Sequence, residues 1–214
     1  MTIAVLANEA MKQEWLLKPA GDATIIWANS LDELAETHAD AWFHLLFEQD
    51  KESLRKLASK TGPVFLNAVV EPLIDSELSA AAIEEAAFVR INGWPGFLQR
   101  ELMEVVIADP FEEATVRDVF SALGWKYRIV PDIPGMITPR IISMIINEAY
   151  YTLEAGVSTK EEIDTAMKLG TNYPYGPFEW SEKIGLKNIY ALLLALSKID
   201  KRYQPCELLK KECL

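Results

Sequence analysis

The chain has 214 residues, enough for one large domain or two small ones, and half of them are hydrophobic, so a sizeable core can form. Its net charge of −11 argues against nucleic acid and anionic membranes as partners. The two cysteines, Cys206 and Cys213, are too few for a disulfide scaffold or a metal site. We therefore expect a cytoplasmic protein that binds no metal.

Up to about residue 130, short apolar runs rich in β-forming residues alternate with segments of helical spacing. Such alternation predicts a parallel α/β sheet. The predicted strands cover residues 2–7, 23–28, 41–47, 64–70, 87–91, 102–108 and 126–130. The predicted helices cover residues 9–18, 50–60, 79–85 and 112–123, and a further short helix follows the capping pattern Ser30-Leu31-Asp32-Glu33.

From Pro131 onward only helical patterns occur, so we divide the chain into domains at 1–130 and 131–214. The predicted helices cover residues 139–156, 177–184, 187–198 and 205–213, and another lies between the capping pattern Ser158-Thr159-Lys160-Glu161 and Gly170. The helix 139–156 is apolar on nearly every side. This pattern is typical of a helix buried in a bundle or at a subunit interface.

Two stretches of the second domain carry a family resemblance. One is Asp132-Ile133-Pro134-Gly135-Met136-Ile137-Thr138-Pro139-Arg140, and the other runs from Asp164 through Gly170-Thr171-Asn172-Tyr173-Pro174-Tyr175-Gly176-Pro177 to Glu179. They resemble the C-terminal domain of the 3-hydroxyacyl-CoA dehydrogenases of fatty-acid metabolism. The resemblance implies a Rossmann-like, NAD-binding parallel sheet domain followed by an all-α domain of the 6-phosphogluconate-dehydrogenase-like type. It also implies a homodimer formed through the helical domain.

The family transfers hydride between NAD and CoA thioesters, and its cofactor needs glycines where the first strand meets the first helix. By the resemblance, the three glycine positions hold Ala7, Glu9 and Lys12. Glu9 puts a carboxylate where the pyrophosphate would lie, unless it serves only to stabilise the start of the helix, and Lys12 is a weak candidate for a phosphate contact. Asn29 stands in place of the ribose-binding acid, although Asn is also a common turn residue. NAD binding by these four residues is therefore in doubt.

The catalytic base is the second departure from the family pattern. The family pairs a His with a Glu twelve residues later, and the Glu orients the imidazole. Glu104 matches the Glu, but the His position holds Asn92, which cannot exchange a proton near neutral pH. The two histidines of the chain, His38 and His44, both lie near the third predicted strand and are far from Glu104 in sequence.

Substrate contacts are also reduced. After the fourth strand, where the family has hydroxyl side chains, only Asn67 offers a polar group, and Pro139 occupies the position of the family's active-site Asn. Arg140 is retained, either as a substrate contact or in a structural ion pair. Trp27 and Trp94 flank the altered positions, and they either fill the former cofactor cleft or belong to an ordinary core.

The joint loss of the glycines, the His and the Asn favours one reading. In it, the protein is a pseudoenzyme of the family: it keeps the fold and the dimer, binds an acyl-CoA or regulates an active relative, and has lost or impaired NAD-dependent activity. Two alternatives stay open. The protein is a working dehydrogenase that uses His44 or Glu104 as its base, or it is a purely structural or interaction module.

Overall fold

The computed structural model describes residues 1–19, 21–49, 53–72, 87–107 and 113–214. The chain forms two compact units, Met1–Met136 and Ile137–Leu214. The sequence pattern placed the change from α/β to all-α a few residues earlier, at residue 131. The predicted helix 79–85 lies outside the described residues.

The first unit is built on a seven-stranded sheet with the strand order β2-β1-β3-β4-β5-β6-β7. Its strands are β1 (Thr2–Leu6), β2 (Thr24–Ala28), β3 (Ala41–His44), β4 (Val64–Asn67), β5 (Phe88–Ile91), β6 (Leu102–Ile107) and β7 (Lys126–Ile129). Its helices are α1 (Glu9–Leu16), α2 (Leu31–Glu36), α3 (Ser53–Leu57) and α4 (Glu113–Leu123), and a 3₁₀ turn covers Phe47–Gln49. The predicted Rossmann-like fold is confirmed.

The sheet is parallel except at one pair of strands. β5 and β6 run antiparallel, which corrects the expectation of an entirely parallel sheet. The physical reason is the connection between them, the short loop 92–101, because a parallel crossover needs a longer connection that usually contains a helix. As a result, the start of β6 lies beside the end of β5.

The two faces of the sheet bury separate apolar clusters. On the face covered by α1 and α4, the rings of Phe43 and Phe65 stack with centroids 4.3 Å apart, and the ring of Trp125 lies 4.4 Å from that of Trp15. On the other face, Leu34 and Leu57 from α2 and α3 cover the sheet. Trp15 and Trp125 thus serve as ordinary core residues.

The site residues predicted in the first unit lie near one edge of this sheet. The parallel strands β1, β3, β4 and β5 end there at Leu6, His44, Asn67 and Ile91. We call it the carboxyl edge. In open α/β sheets, ligands bind at this edge, where the strand order reverses, which here is between β1 and β3.

The second unit is entirely helical. Its helices are α5 (Thr138–Glu154), α6 (Lys160–Thr171), α7 (Pro177–Ile184), α8 (Leu186–Ser197) and α9 (Glu207–Cys213), with a 3₁₀ turn at Lys201–Tyr203. The inner face of α5 is buried in the bundle through Ile142, Ile146 and Tyr150. Across the described ranges, no helix combines the length and the apolar character that crossing a membrane requires.

Some predicted helix and strand ends need correction. α6 begins one residue later than its predicted capping pattern, because Thr159 accepts from the Glu162 N–H at 3.3 Å. Gly170 lies inside this helix, and Asn172, with φ of 55°, closes it in the left-handed conformation. The predicted strand 64–70 stops at Asn67. Of the predicted helix 50–60, residues 50–52 lie outside the described part, and the helix observed, α3, ends at Leu57 rather than at residue 60.

The stretch that carried the family resemblance has a structural explanation. Asp164 in α6 accepts hydrogen bonds from the N–H groups of Phe178 at 2.8 Å and Glu179 at 3.1 Å, so it caps the start of α7 from outside the helix. A Cβ at Gly176 would lie 2.3 Å from the Asp164 carboxylate. Only glycine therefore allows the turn to approach its capping carboxylate.

Candidate functional site

The turn after β1 caps its own helix. Asn8 is the N-cap of α1, and its Oδ1 accepts the Met11 N–H at 2.9 Å. Glu9 is exposed in the first turn, where it accepts a hydrogen bond from Gln13 Nε2 at 2.8 Å. Side chains of the protein thus meet the start of α1, where a dinucleotide-binding turn would leave bare backbone for a pyrophosphate.

Two of the predicted cofactor positions have neighbours within the fold. Ala7 is half-buried and packs against the aromatic cluster of the first unit. The Lys12 ammonium lies 5.1 Å from the centroid of the Trp27 ring, a cation–π distance. Trp27 in turn contacts the edge of Trp15. Lys12 and Trp27 therefore flank the end of β2 as a packed pair.

Asn29, at the position of the ribose-binding acid, belongs to the start of α2. Its backbone N–H and its Nδ2 both donate to Glu33 Oε2, at 2.7 and 3.0 Å. Ser30 Oγ accepts the Glu33 N–H at 3.1 Å and completes the cap. The predicted capping pattern is therefore present, with the Glu33 carboxylate reaching one residue further back than the usual box.

Asn92 and Glu104 are brought together as direct neighbours. The Asn92 N–H donates to the Glu104 carbonyl oxygen at 3.1 Å, which continues the antiparallel pairing of Ile91 with Val105. Residues opposed in this way place their side chains on the same face of the sheet. Both are buried, with exposed fractions of 4% and 8%. Burial lowers the pKa of the nearby Arg100, and the Glu104 charge opposes that shift.

Neither histidine lies near this pair. His44 ends β3, and both β4 and β5 lie between it and the strand that carries Glu104. Three strand spacings make a separation of about 14 Å. His44 instead makes an edge contact with the Phe47 ring. His38 stands at the opposite edge of the sheet, where with Asp40 and Lys60 it lines a cavity of about 370 Å³.

Asn67, the predicted substrate contact, has both ends of its amide engaged in the fold. Its Nδ2 donates to the Leu45 carbonyl oxygen at 2.9 Å, and its Oδ1 accepts the Gly93 N–H at 3.0 Å. A Cβ on Gly93 would meet the Asn67 side chain at 3.1 Å. Asn67 thereby ties the end of β4 to the segments that follow β3 and β5.

Sequence reasoning missed a buried carboxylate at the carboxyl edge. Glu48 accepts hydrogen bonds from the N–H groups of Val69 and Val70 and from the indole N–H of Trp94. Burial raises the pKa of Glu48, and these hydrogen bonds act against the rise. Trp94 is fully buried, so its ring occupies space at the carboxyl edge. The backbone of residues 69 and 70 leaves the β4 ladder because Glu48 takes its donors.

A buried guanidinium lies beside this carboxylate. Arg90 is fully buried in β5, where its Nε donates to the Ala68 carbonyl oxygen at 2.7 Å and its Nη2 to that of Val69 at 3.2 Å. Its Nη1 pairs with Asp132. The sequence signal was available, since a single charge inside the apolar run Phe88–Ile91 indicates a paired, buried group.

Arg140 stands in the second unit at the start of α5, with its guanidinium 5.8 Å from the centroid of the Tyr203 ring. Within the described residues, no group of three or more His, Cys, Asp or Glu side chains is placed to hold a metal ion. In the first unit, the fold brings the predicted residues together as two sets, one at the ends of β1 and β2 and one at β4, β5 and β6.

The chain is similar in sequence to known proteins of one family. Residues 135–213 match the family model of the 3-hydroxyacyl-CoA dehydrogenase C-terminal domain. The chain is 32% identical to a 3-hydroxybutyryl-CoA dehydrogenase of Bradyrhizobium diazoefficiens over 202 residues, which cover 87% of the chain and 66% of that protein. It is 46% identical to 3-hydroxyadipyl-CoA dehydrogenase of Escherichia coli over 87 residues, which cover 40% of the chain and 18% of that protein. The chain thus spans at most 66% of the length of these two relatives.

The fold agrees with solved structures of the same group. The (S)-3-hydroxybutyryl-CoA dehydrogenase of Ralstonia eutropha superimposes with a TM-score of 0.67 over 98% of this chain and 92% of that chain, at 18% sequence identity. Identity this low shows the fold alone. The sequence matches over both units show that the chain belongs to the 3-hydroxyacyl-CoA dehydrogenase family.

Proposed function

We propose that this protein binds an acyl-CoA thioester and that its NAD-dependent dehydrogenase activity is lost or strongly impaired. The observation that carries the proposal is the pairing of Glu104 with Asn92, because this is the place where the family's acid–base dyad requires a histidine. Removing a general base typically lowers a rate by roughly 10²- to 10⁴-fold.

The cofactor positions support the same conclusion. A dinucleotide needs free backbone N–H groups and no negative charge at the start of the first helix, whereas here Asn8 caps α1 and Glu9 adds a carboxylate. Repulsion between that carboxylate and a phosphate is worth on the order of 1–4 kcal/mol. Asn29 is engaged by Glu33 rather than left open to a ribose. These residues do not fit NAD, so we assign no reaction step to the cofactor.

Binding and turnover measurements test the proposal. We expect calorimetry to detect a four-carbon acyl-CoA but not NADH, and we expect no NADH oxidation with the corresponding 3-ketoacyl-CoA. Turnover that disappears in Glu104→Gln would instead make the protein a working dehydrogenase with altered machinery. If CoA, acyl-CoA and NAD all leave the melting temperature unchanged, the protein is a structural or interaction module.

We also propose a homodimer formed through α5. Ile137, Ile141, Met144 and Tyr151 lie along one side of this helix at heptad spacing. Ile137, Ile141 and Tyr151 are exposed to 45%, 55% and 40%, although large apolar side chains are normally buried. A second copy of the chain, presenting the same stripe, is the partner we propose for this surface.

A further inference from the structure

We propose that Asn92 and Gly93 form a latent deamidation site, and that Asn67 protects it by binding the Gly93 N–H. The inference does not depend on the proposed function, because it concerns the chemistry of the chain itself. The chain has seven asparagines, and Asn92 alone is followed by glycine. Asparagine is a thermolabile residue, and a following glycine makes it most reactive, because no Cβ shields the backbone nitrogen that attacks the side chain.

The reaction is intramolecular and needs only water. The Gly93 nitrogen loses its proton to solvent and attacks Asn92 Cγ, so that a succinimide ring forms as the Cγ–Nδ2 bond breaks. The side-chain nitrogen takes up a proton and leaves as ammonia. Water then opens the ring at either carbonyl carbon and gives an aspartate or an isoaspartate, so a neutral amide becomes a carboxylate. The Gly93 N–H is therefore the group that controls the rate.

The Gly93 nitrogen is held by a buried hydrogen bond. Its N–H donates to Asn67 Oδ1 at 3.0 Å, and Nδ2 of the same amide donates to the Leu45 carbonyl oxygen at 2.9 Å, which keeps the acceptor in place. Asn67 and Asn92 are both buried, with exposed fractions of 3% and 4%. Breaking the bond inside the fold would leave a buried donor unpaired, which is costly, so the nitrogen is seldom free to react.

The backbone on both sides of the reacting residue is also fixed. The Asn92 N–H donates to the Glu104 carbonyl oxygen at 3.1 Å, and the indole N–H of the buried Trp94 donates to Glu48. Ring closure requires the backbone at Asn92 to rotate, and these bonds oppose the rotation. Asn92 Oδ1, by contrast, has no hydrogen-bond partner within the described ranges. The protection therefore acts on the attacking nitrogen and the backbone rather than on the amide oxygen that reacts.

The same glycine makes the site reactive and allows its protection. A Cβ at position 93 would lie 3.1–3.3 Å from three atoms of the Asn67 side chain, so a larger residue would push Asn67 away from the N–H. The product of the reaction would also be unfavourable. A carboxylate at position 92 would stand opposite the buried Glu104, and like charges in such a place repel each other.

The experiment follows deamidation of the full chain during incubation in warm, mildly alkaline buffer. Trypsin, which cleaves after Arg90 and Arg100, releases residues 91–100 as a peptide whose only asparagine is Asn92, and mass spectrometry detects the exchange of its NH₂ for OH. We expect the wild type to deamidate in denaturing urea but not when folded. Folded Asn67→Ala should deamidate at Asn92 about tenfold faster than the folded wild type, which corresponds to the loss of one net hydrogen bond.

Two further variants separate protection by Asn67 from a general loss of stability. Asn67→Asp keeps an oxygen acceptor for the Gly93 N–H and loses only the donor to Leu45, so it should deamidate at nearly the wild-type rate. Leu34→Ala truncates a buried side chain on the other face of the sheet, so it should lower the melting temperature without faster deamidation. Hydrogen exchange of the Gly93 amide should accelerate by about tenfold in Asn67→Ala alone.

Four results would overturn the inference. Equal rates for the folded and the unfolded wild type would show that the fold does not protect the site. An unfolded wild type that keeps its amide would show that the site is not reactive. A folded Asn67→Ala that deamidates no faster than the wild type would exclude Asn67 as the protecting residue, and equal acceleration in Leu34→Ala would assign the effect to general unfolding. None of these results bears on acyl-CoA binding, which is tested separately.

Discussion

Lys18 carries its amine into a site that solvates it poorly. Its side chain is buried, its Nζ donates to the Arg100 carbonyl oxygen at 2.5 Å, and it lies 4.3 Å from the centroid of the Trp125 ring. Burial lowers the pKa of Lys18 to about 8, and the charge of Glu101 only partly offsets this. The protonated amine is therefore disfavoured in the folded state relative to the unfolded chain.

The sign of the resulting pH dependence follows from proton counting. Between about pH 8 and pH 10.5, the unfolded chain holds a proton on Lys18 that the folded chain has lost. The free energy of unfolding should therefore rise through this window, by at most about 3 kcal/mol. Urea denaturation below, within and above the window measures it. Lys18→Met and Lys18→Arg both lack the titrating amine, and a rise that persists in either variant would assign it to another group.

Asn67 gives a second prediction about a single residue. Asn67→Ala leaves the Leu45 carbonyl and the Gly93 N–H unpaired in a buried place, so it should lower the free energy of unfolding by about 2–4 kcal/mol. Chemical denaturation measures the change, with Asn188→Ala as an amide control in the second unit. A fully stable Asn67→Ala that has lost acyl-CoA binding would instead restore Asn67 as a substrate contact.

Whole elements were easier to predict than their ends and directions. A continuous apolar run predicted β1 to within a residue, because a strand buried on both sheet faces carries apolar side chains at nearly every position. The predicted bounds of α7, 177–184, agree with those observed. β4 ended early because Glu48, which is distant in sequence, accepts the backbone N–H groups of Val69 and Val70. The antiparallel direction of β6 depends on the geometry of a loop, which no local pattern encodes.

The candidate site likewise has a part that was predicted from the sequence and a part that was not. The family resemblance predicted that Asn92 and Glu104 stand at one site, and in the structure they are neighbours because the short loop lets β5 and β6 pair antiparallel. It did not find the group of Glu48, Arg90 and Asp132, whose members come from three separate segments. Long-range polar contacts of this kind follow from the tertiary fold, so a single sequence offers only indirect signals of them.

The link between α6 and α7 leads to a prediction about these elements. Asp164 is buried and accepts two backbone N–H groups at the start of α7. Asp164→Ala removes both charge-assisted bonds, so we expect it to lower the free energy of unfolding by about 2–3 kcal/mol. Asp164→Asn, which keeps one good acceptor, should cost about half as much. The exposed Glu182→Gln on α7 is the control, and equal stability of all three variants would contradict the capping role.

At the scale of the whole molecule, the second unit preserves the sequence of the family, whereas the first unit preserves mainly its fold. The family match at residues 135–213 falls almost wholly in the second unit, where turns such as that at Gly176 admit one residue type. The first unit keeps the fold of its relatives although identity to the solved structure is only 18%. A sheet core needs apolar residues of suitable volume on each face rather than particular residues, so its sequence can change while the architecture stays.

The net charge of the whole molecule determines how the proposed dimer should respond to salt. Each chain carries a net charge of −11, so two copies repel each other while the stripe of Ile137, Ile141, Met144 and Tyr151 on α5 attracts them. Because salt screens the repulsion and leaves apolar burial intact, the dimer fraction measured by sedimentation should rise with ionic strength. Ile141→Glu should make the protein monomeric at every salt concentration, whereas Leu169→Glu, on α6 outside the stripe, should not. A wild type that stays monomeric at high salt, or an Ile141→Glu variant that still pairs, would place the interface elsewhere or exclude it.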